Sequence, residues 1–328
     1  MDEENRNNFE PEKEPEEKNY NFFLDEPRIS PVKAAFLGLA GVFILFQFGG
    51  GLLTIAIFGL DLKNVNMNAM RLLTVGGQML FILLPALLLS KLVYEDVTRV
   101  IRFYKPKIIP VILFSVGLII LTPLLQSYLY IQNYFVDIAA NSIPFVHEAK
   151  QLLDQLDKLL SETYSELMSV NSFWDASFVI FVVTVVPAVC EETFFRGFVM
   201  RSFEYKLKPF WAATITGLFF ALYHFNPYGL LPLMALGIYF GFAAYTTNSI
   251  FVPMILHFLN NLIAVSAYMI FGSEDILESN VAASDGVSEF AVAFIGLSIL
   301  FTLLIFGIKK YYNAIQNKNG DENDLSEM

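Results

Sequence analysis

Residues 174–198 read WDASFVIFVVTVVPAVCEETFFRGF. An α-helix needs about 20 apolar residues to cross a hydrocarbon core roughly 30 Å thick, and the first part of this stretch supplies them. Where the run should be leaving the membrane it carries two adjacent carboxylates, Glu191 and Glu192, and then Arg196. Ionisable groups at that depth are costly and usually face a partner or a water-filled cavity. The stretch therefore points to a helical membrane fold and to polar chemistry inside it.

The rest of the chain agrees with the first point. Of 328 residues, 55% are hydrophobic, 15% aromatic and only 16% charged, more apolar than a soluble domain requires. The net charge of −11 comes largely from the ends, with ten Asp or Glu in residues 1–30 and four in 321–328. An acidic balance of this kind excludes nucleic acid as a natural partner. Cys190 is the only cysteine, which rules out an intramolecular disulfide and a Cys-rich zinc site. The opening MDEENRNNFEPEKEPEEK is acidic and poor in hydrophobic residues, so it is expected to be disordered, and it lacks the pattern of a signal peptide. The organisation expected is a disordered acidic cytoplasmic tail over 1–30, one membrane bundle over 31–310 and a second acidic cytoplasmic tail over 311–328.

The fold class expected is all-α, a polytopic transmembrane bundle of about eight spans. They are placed near 33–60, 72–90, 108–131, 173–195, 210–226, 229–246, 249–271 and 288–308. Gly49, Gly50 and Gly51 mark a kink or a close helix contact in the first. Lys and Arg favour the cytoplasmic side, and with the N-terminus inside, 17 of the 21 fall on inward segments. Both termini are thus expected in the cytoplasm, in a cell inner membrane. Residues 144–168 form the one sizeable outward segment. Leu152, Leu153, Leu156, Leu159, Leu160 and Tyr164 recur there at helical spacing among acids, the pattern of an extracytoplasmic amphipathic helix lying on the surface or capping the bundle. Its HEAKQ is half of an HExxH zinc motif with Gln151 in place of the second histidine, so His147 reads as a surface residue.

Three polar clusters fall inside predicted spans: Glu191, Glu192 and Arg196; His224; and His257 with Asn261. Glu191 and His224 lie nearly equal distances from the KLKP turn at 206–209, about 24 Å along each axis, so an antiparallel hairpin brings them level. His257 and Asn261 reach a similar depth, roughly 15 to 20 Å from the TTNS turn, if the fourth helix projects beyond the membrane. Glu192 and Arg196 are i and i+4 and can pair, whereas Glu191 is turned away and is the better candidate base. Phe220 and His224 share a helix face, as do His257 and Asn261. Taken singly, an acid pair near a helix end is commonly an interfacial salt bridge, and a membrane histidine commonly a helix-to-helix hydrogen bond. Their joint occurrence is what ordinary packing does not require.

In order, EExxxR, FxxxH and HxxxN resemble the motifs of the CPBP family, the CAAX-protease and bacteriocin-processing membrane proteins. The likeness spans about residues 172–268 and every motif position is matched. It implies an intramembrane endopeptidase acting on a membrane-associated or lipidated peptide or protein. It further implies that Glu191 with His224 activates a water, that His257 and Asn261 stabilise the oxyanion, and that Glu192 and Arg196 hold the geometry. Glu191, His224 and His257 also match the ligand count of a catalytic zinc site, so metal assistance stays open beside direct activation of water by glutamate. HExxH, GxSG and GxGD blocks are absent, and the terminal DLSEM is not a CAAX box. The alternative is a transporter or bacteriocin-immunity factor that uses the same buried Glu and His for proton coupling or binding.

Overall fold

The computed structural model describes residues 27, 29–59, 65–94, 96–271 and 287–326, with side chains as far as residue 315. The acidic segment 1–26, expected to be disordered, lies outside the described residues. Among those described there is no strand, and the chain is a run of helices. In order they are α1 Pro31–Phe58, α2 Met67–Val93, the single turn α3 Val97–Val100, α4 Ile108–Ser142, α5 Pro144–Met168, α6 Phe173–Glu204, α7 Pro209–Tyr223, α8 Leu230–Thr247, α9 Phe251–Phe271 and α10 Val287–Ser326. Seven of them, α1, α2, α4, α6, α8, α9 and α10, are long and apolar enough to cross a membrane. The protein is a multi-pass membrane protein.

The remaining expected span, the fifth at 210–226, is α7. At 15 residues it rises about 22 Å, short of the hydrocarbon thickness. It starts at Pro209 and stops at His224, after which Phe225 takes a left-handed backbone conformation (φ 50°) that turns the chain toward α8. What α7 lacks in length it recovers in packing. A Cβ on Gly217 would stand 2.9 Å from the Ile238 nitrogen and 3.0 Å from the Met234 oxygen, and one on Gly237 would stand 2.8 Å from the Gly217 Cα. Small residues let membrane helices approach closely, and here two glycines face one another across the α7–α8 crossing. Gly217→Ala is accordingly expected to destabilise the protein by about 1–3 kcal/mol, since the obstacle is backbone that cannot step aside. A lowered unfolding midpoint in detergent checks this.

The long helices are not uniform. π-helical turns interrupt α1 at Leu45–Gly49, α2 at Met79–Leu83, and α6 at both Phe181–Val185 and Thr193–Val199. Two of them have a cause in the sequence. Pro85 and Pro187 lack an N–H, and their rings crowd the carbonyls four residues earlier, those of Phe81 and Val183, which lie in the π turns. The turn in α1 runs into the glycine triplet at 49–51.

The C-terminal end of α6 is tied into the bundle. Arg102 makes a two-pronged contact with Glu204 at 2.8 and 2.7 Å, and Arg201 reaches the same carboxylate at 2.5 Å. Arg102 also bonds Asn248 Oδ1 at 3.3 Å, which joins this end to the turn before α9. Burial pulls the Arg102 guanidinium below its ordinary pKa, and the Glu204 charge opposes that.

The amphipathic segment is a helix, α5, and its orientation is a finding. Leu152, Leu156 and Leu159 are exposed, whereas Asp157, Ser161 and Met168 are buried. Its polar side thus faces the other helices. Arg71 of α2 holds its C-terminal end through the carbonyls of Leu167 (3.0 Å) and Ser169, Ser165 meets Tyr268 of α9 at 2.9 Å, and Tyr228 donates to Asp154. The leucine stripe faces outward, where lipid would cover it. His147 is exposed and bonded to Gln151, as its reading as a surface residue required.

Candidate active site

The site is built on α6, where the helix passes from the Pro187 region into its second π turn. Glu192 and Arg196 are completely buried and pair at 2.7 Å. A buried ion pair needs further hydrogen bonds to offset its desolvation. Arg196 gives one from Nη2 to the Gly237 carbonyl of α8 at 3.0 Å, where that helix crosses α7 closely at Gly217. Its guanidinium carbon also lies 4.5 Å from the centroid of Phe220 and 5.3 Å from that of Phe240, within range of cation–π attraction.

Glu192 has a second partner. His257 Nδ1 stands 2.8 Å from Glu192 Oε1, the same oxygen that accepts from Arg196. A carboxylate paired with Arg196 only accepts, so Nδ1 carries the hydrogen and Nε2 is the nitrogen left for other work. Phe220 meets His257 edge-on at 5.8 Å and Phe240 lies 5.7 Å away on another side. Phe220 also contacts His224, with ring centroids 4.5 Å apart. This explains physically why phenylalanine precedes that histidine by one helical turn: its ring is the common wall of Arg196, His224 and His257.

His224 caps α7. Its Nδ1 lies 2.7 Å from the Phe220 carbonyl, which can only accept, so Nε2 is again the nitrogen without a hydrogen in the neutral ring. His224 is within electrostatic reach of Glu191, His257 and Arg196. Glu191 points away from the Glu192–Arg196 pair, as its position on the helix requires. It is half-buried, and its Oε1 accepts from Gln78 Nε2 of α2 at 3.1 Å. Tyr164 of α5 is within electrostatic reach of the same carboxylate.

Asn261 sits one turn after His257 and donates from Nδ2 to the Val183 carbonyl at 3.1 Å. In a regular α-helix that carbonyl would bond the N–H of residue 187, which proline lacks. Pro187 therefore gives Asn261 its acceptor. The six expected residues come together on three helices, but each is held by its own neighbour. His257 is tied to Glu192, Asn261 to α6 backbone and Glu191 to Gln78. Among the described residues no three His, Cys, Asp or Glu side chains are arranged to hold a metal ion, and this includes Glu191, His224 and His257. An apolar cavity of about 300 Å³ lies elsewhere, among Leu121, Ala213, Tyr239 and Phe301, and contains none of the site residues.

Residues 173–263 match the family model described as type II CAAX prenyl endopeptidase Rce1-like. This segment is an Rce1-like domain. It runs from the start of α6 into α9 and contains all three motifs. The Rce1-like domain marks the chain as an intramembrane protease with a peptide or protein substrate. No curated protein and no solved structure gives a match to the chain.

Sequence reading passed over the partners that hold the site. Gln78 lies outside the Rce1-like domain, on α2. Gly237 and Val183 act through backbone oxygens, which no residue type announces. Gln78 alone carried a signal, as a polar residue inside a predicted span.

Proposed function

We propose that the chain hydrolyses a peptide bond of a lipidated or membrane-associated protein by a water that Glu191 activates. The observation that carries this is the division of labour between two adjacent carboxylates. Glu192 is completely buried and committed to Arg196 and His257, while Glu191 is half-buried, with one oxygen held by Gln78. A base needs a free lone pair and access to water, and of the two carboxylates only Glu191 has both.

In this reading Glu191 takes a proton from water as the water oxygen attacks the scissile carbonyl carbon, with His224 Nε2 as an additional acceptor beside it. Negative charge gathers on the carbonyl oxygen. The remaining Nδ2 hydrogen of Asn261 donates to it, and His257, held at Nδ1 by Glu192, adds a second donor from Nε2 when the ring is the imidazolium. One such donor is commonly worth about 3 kcal/mol in the transition state. As the tetrahedral intermediate collapses, the C–N bond breaks and the proton held by Glu191 passes to the departing amine. Because no three-residue ligand set is assembled among the described residues, every step in this reading is assigned to side chains. Turnover is accordingly expected to survive chelation in purified protein shown to hold less than stoichiometric metal. Loss of turnover on chelation, with recovery on adding zinc, would replace Glu191 activation by a metal-bound hydroxide.

The family description names CAAX prenyl proteins, so the first substrate to test is a prenylated, quenched-fluorescence peptide ending in a CAAX sequence, beside its unprenylated form. Membrane proteomes of cells carrying the wild-type chain and the Glu191→Gln chain supply the second arm, in which an uncut precursor accumulates with the variant. Absence of both peptide cleavage and any accumulating precursor would return the site to the transporter or immunity reading. The Lys and Arg bias supports a topology with both termini in the cytoplasm.

A further inference from the structure

Gln78 of α2 bonds the candidate base, and it comes from outside the Rce1-like domain. It is 5% exposed, and it is the last residue before the π turn Met79–Leu83 that accompanies Pro85. Such turns are frequent at functional sites, because they shift the register of the following residues without ending the helix. A long polar side chain buried in a membrane helix has to find partners. Gln78 has found only one. Its Nε2 donates to Glu191 Oε1 at 3.1 Å, and its Oε1 is buried with no protein partner among the described residues.

The orientation of the amide follows from chemistry. An ionised carboxylate accepts only, so the nitrogen faces Glu191 and the oxygen faces away. Held by one oxygen, the carboxylate cannot rotate freely, and its Oε2 is left to meet a water.

We propose that Gln78 is a positioning residue for the hydrolytic water: its Nε2–H fixes Glu191 Oε1 and so directs Oε2, the oxygen that takes the water's proton. The inference rests on Glu191 being the base. It extends the working site beyond the residues of the family pattern to a helix about 100 residues earlier in the chain.

The test uses the full-length protein in detergent and the prenylated CAAX peptide. Gln78→Met keeps the length of the side chain and removes both polar atoms. It is expected to lower kcat about 10- to 100-fold, as loss of a hydrogen bond to a charged group would, with KM within about twofold of wild type. The effect must also depend on the carboxylate. In a Glu191→Asp background the shortened acid no longer reaches Gln78, so adding Gln78→Met should cost less than about twofold more, whereas a structural role would lower kcat by the same factor in both backgrounds. Gln78→Asn serves the same cycle if Gln78→Met is not recovered folded. An inactive Glu191→Gln protein beside a fully active Gln78→Met protein overturns the role of Gln78 and leaves the base assignment standing. An active Glu191→Gln protein overturns the base assignment itself.

Discussion

Glu191→Gln is expected to lower turnover by roughly 10²- to 10⁴-fold, the range that a general base contributes, while the protein remains folded in the membrane. The substitution is close to isosteric, and the hydrogen bond from Gln78 can still be accepted by a side-chain amide oxygen. What disappears is the capacity to hold a proton during attack. Glu191 is half-buried and is not the partner of the buried Arg196, so no cation is stranded by its neutralisation. The unfolding midpoint should therefore move little as activity falls. His147→Ala is the matched control, since His147 is exposed and bonded to Gln151 on the outer helix α5. Peptide cleavage followed by mass spectrometry reads both variants. Equal losses at Glu191 and His147, or undiminished cleavage by Glu191→Gln, would remove Glu191 from the chemistry.

The contrast between these two residues shows what a sequence reveals of such a site. Charge inside an apolar run is a signal that survives without a structure, because lipid makes each ionisable group an exception. Glu191, Glu192, Arg196, His224 and His257 were all visible in that way, and the i, i+4 pairing of Glu192 with Arg196 followed from helical geometry alone. The contact between His257 and Glu192 did not follow, because it depends on how α9 meets α6 across a π turn. A period of 3.6 residues cannot foresee such a shift in register. The outward leucine face of α5 was hidden for a different reason. An apolar stripe signals burial, but in a membrane protein lipid buries it as well as neighbouring helices do, and here the polar face of α5 packs inward. α7 was read as a span by composition, and only its end at His224 reveals a 15-residue helix. That early end is also what puts the His224 ring beside Phe220 at the site.

Glu192→Leu is expected to be the most damaging single change to stability, at about 3–5 kcal/mol, because it leaves the Arg196 charge buried without its partner. Arg196 is completely inaccessible, and its remaining contacts, the Gly237 carbonyl and the rings of Phe220 and Phe240, are too weak to replace a carboxylate. Removing both charges should behave differently. Glu192→Leu combined with Arg196→Met replaces an ion pair by apolar groups of similar bulk, an exchange often neutral or stabilising, so the unfolding free energy should return to within about 1 kcal/mol of wild type. Activity should not return with it. In the double variant His257 Nδ1 has lost the carboxylate that orients the ring, so Nε2 is no longer held in place for the oxyanion. Denaturant unfolding in detergent and peptide cleavage, measured on the same preparations, separate the two effects. A double variant that is both stable and fully active would mean that Glu192 serves only to neutralise Arg196, and His257 would then lose its assigned part in catalysis. A double variant restored in stability but not in turnover would locate the function of the pair in its third member, the histidine that shares the oxygen.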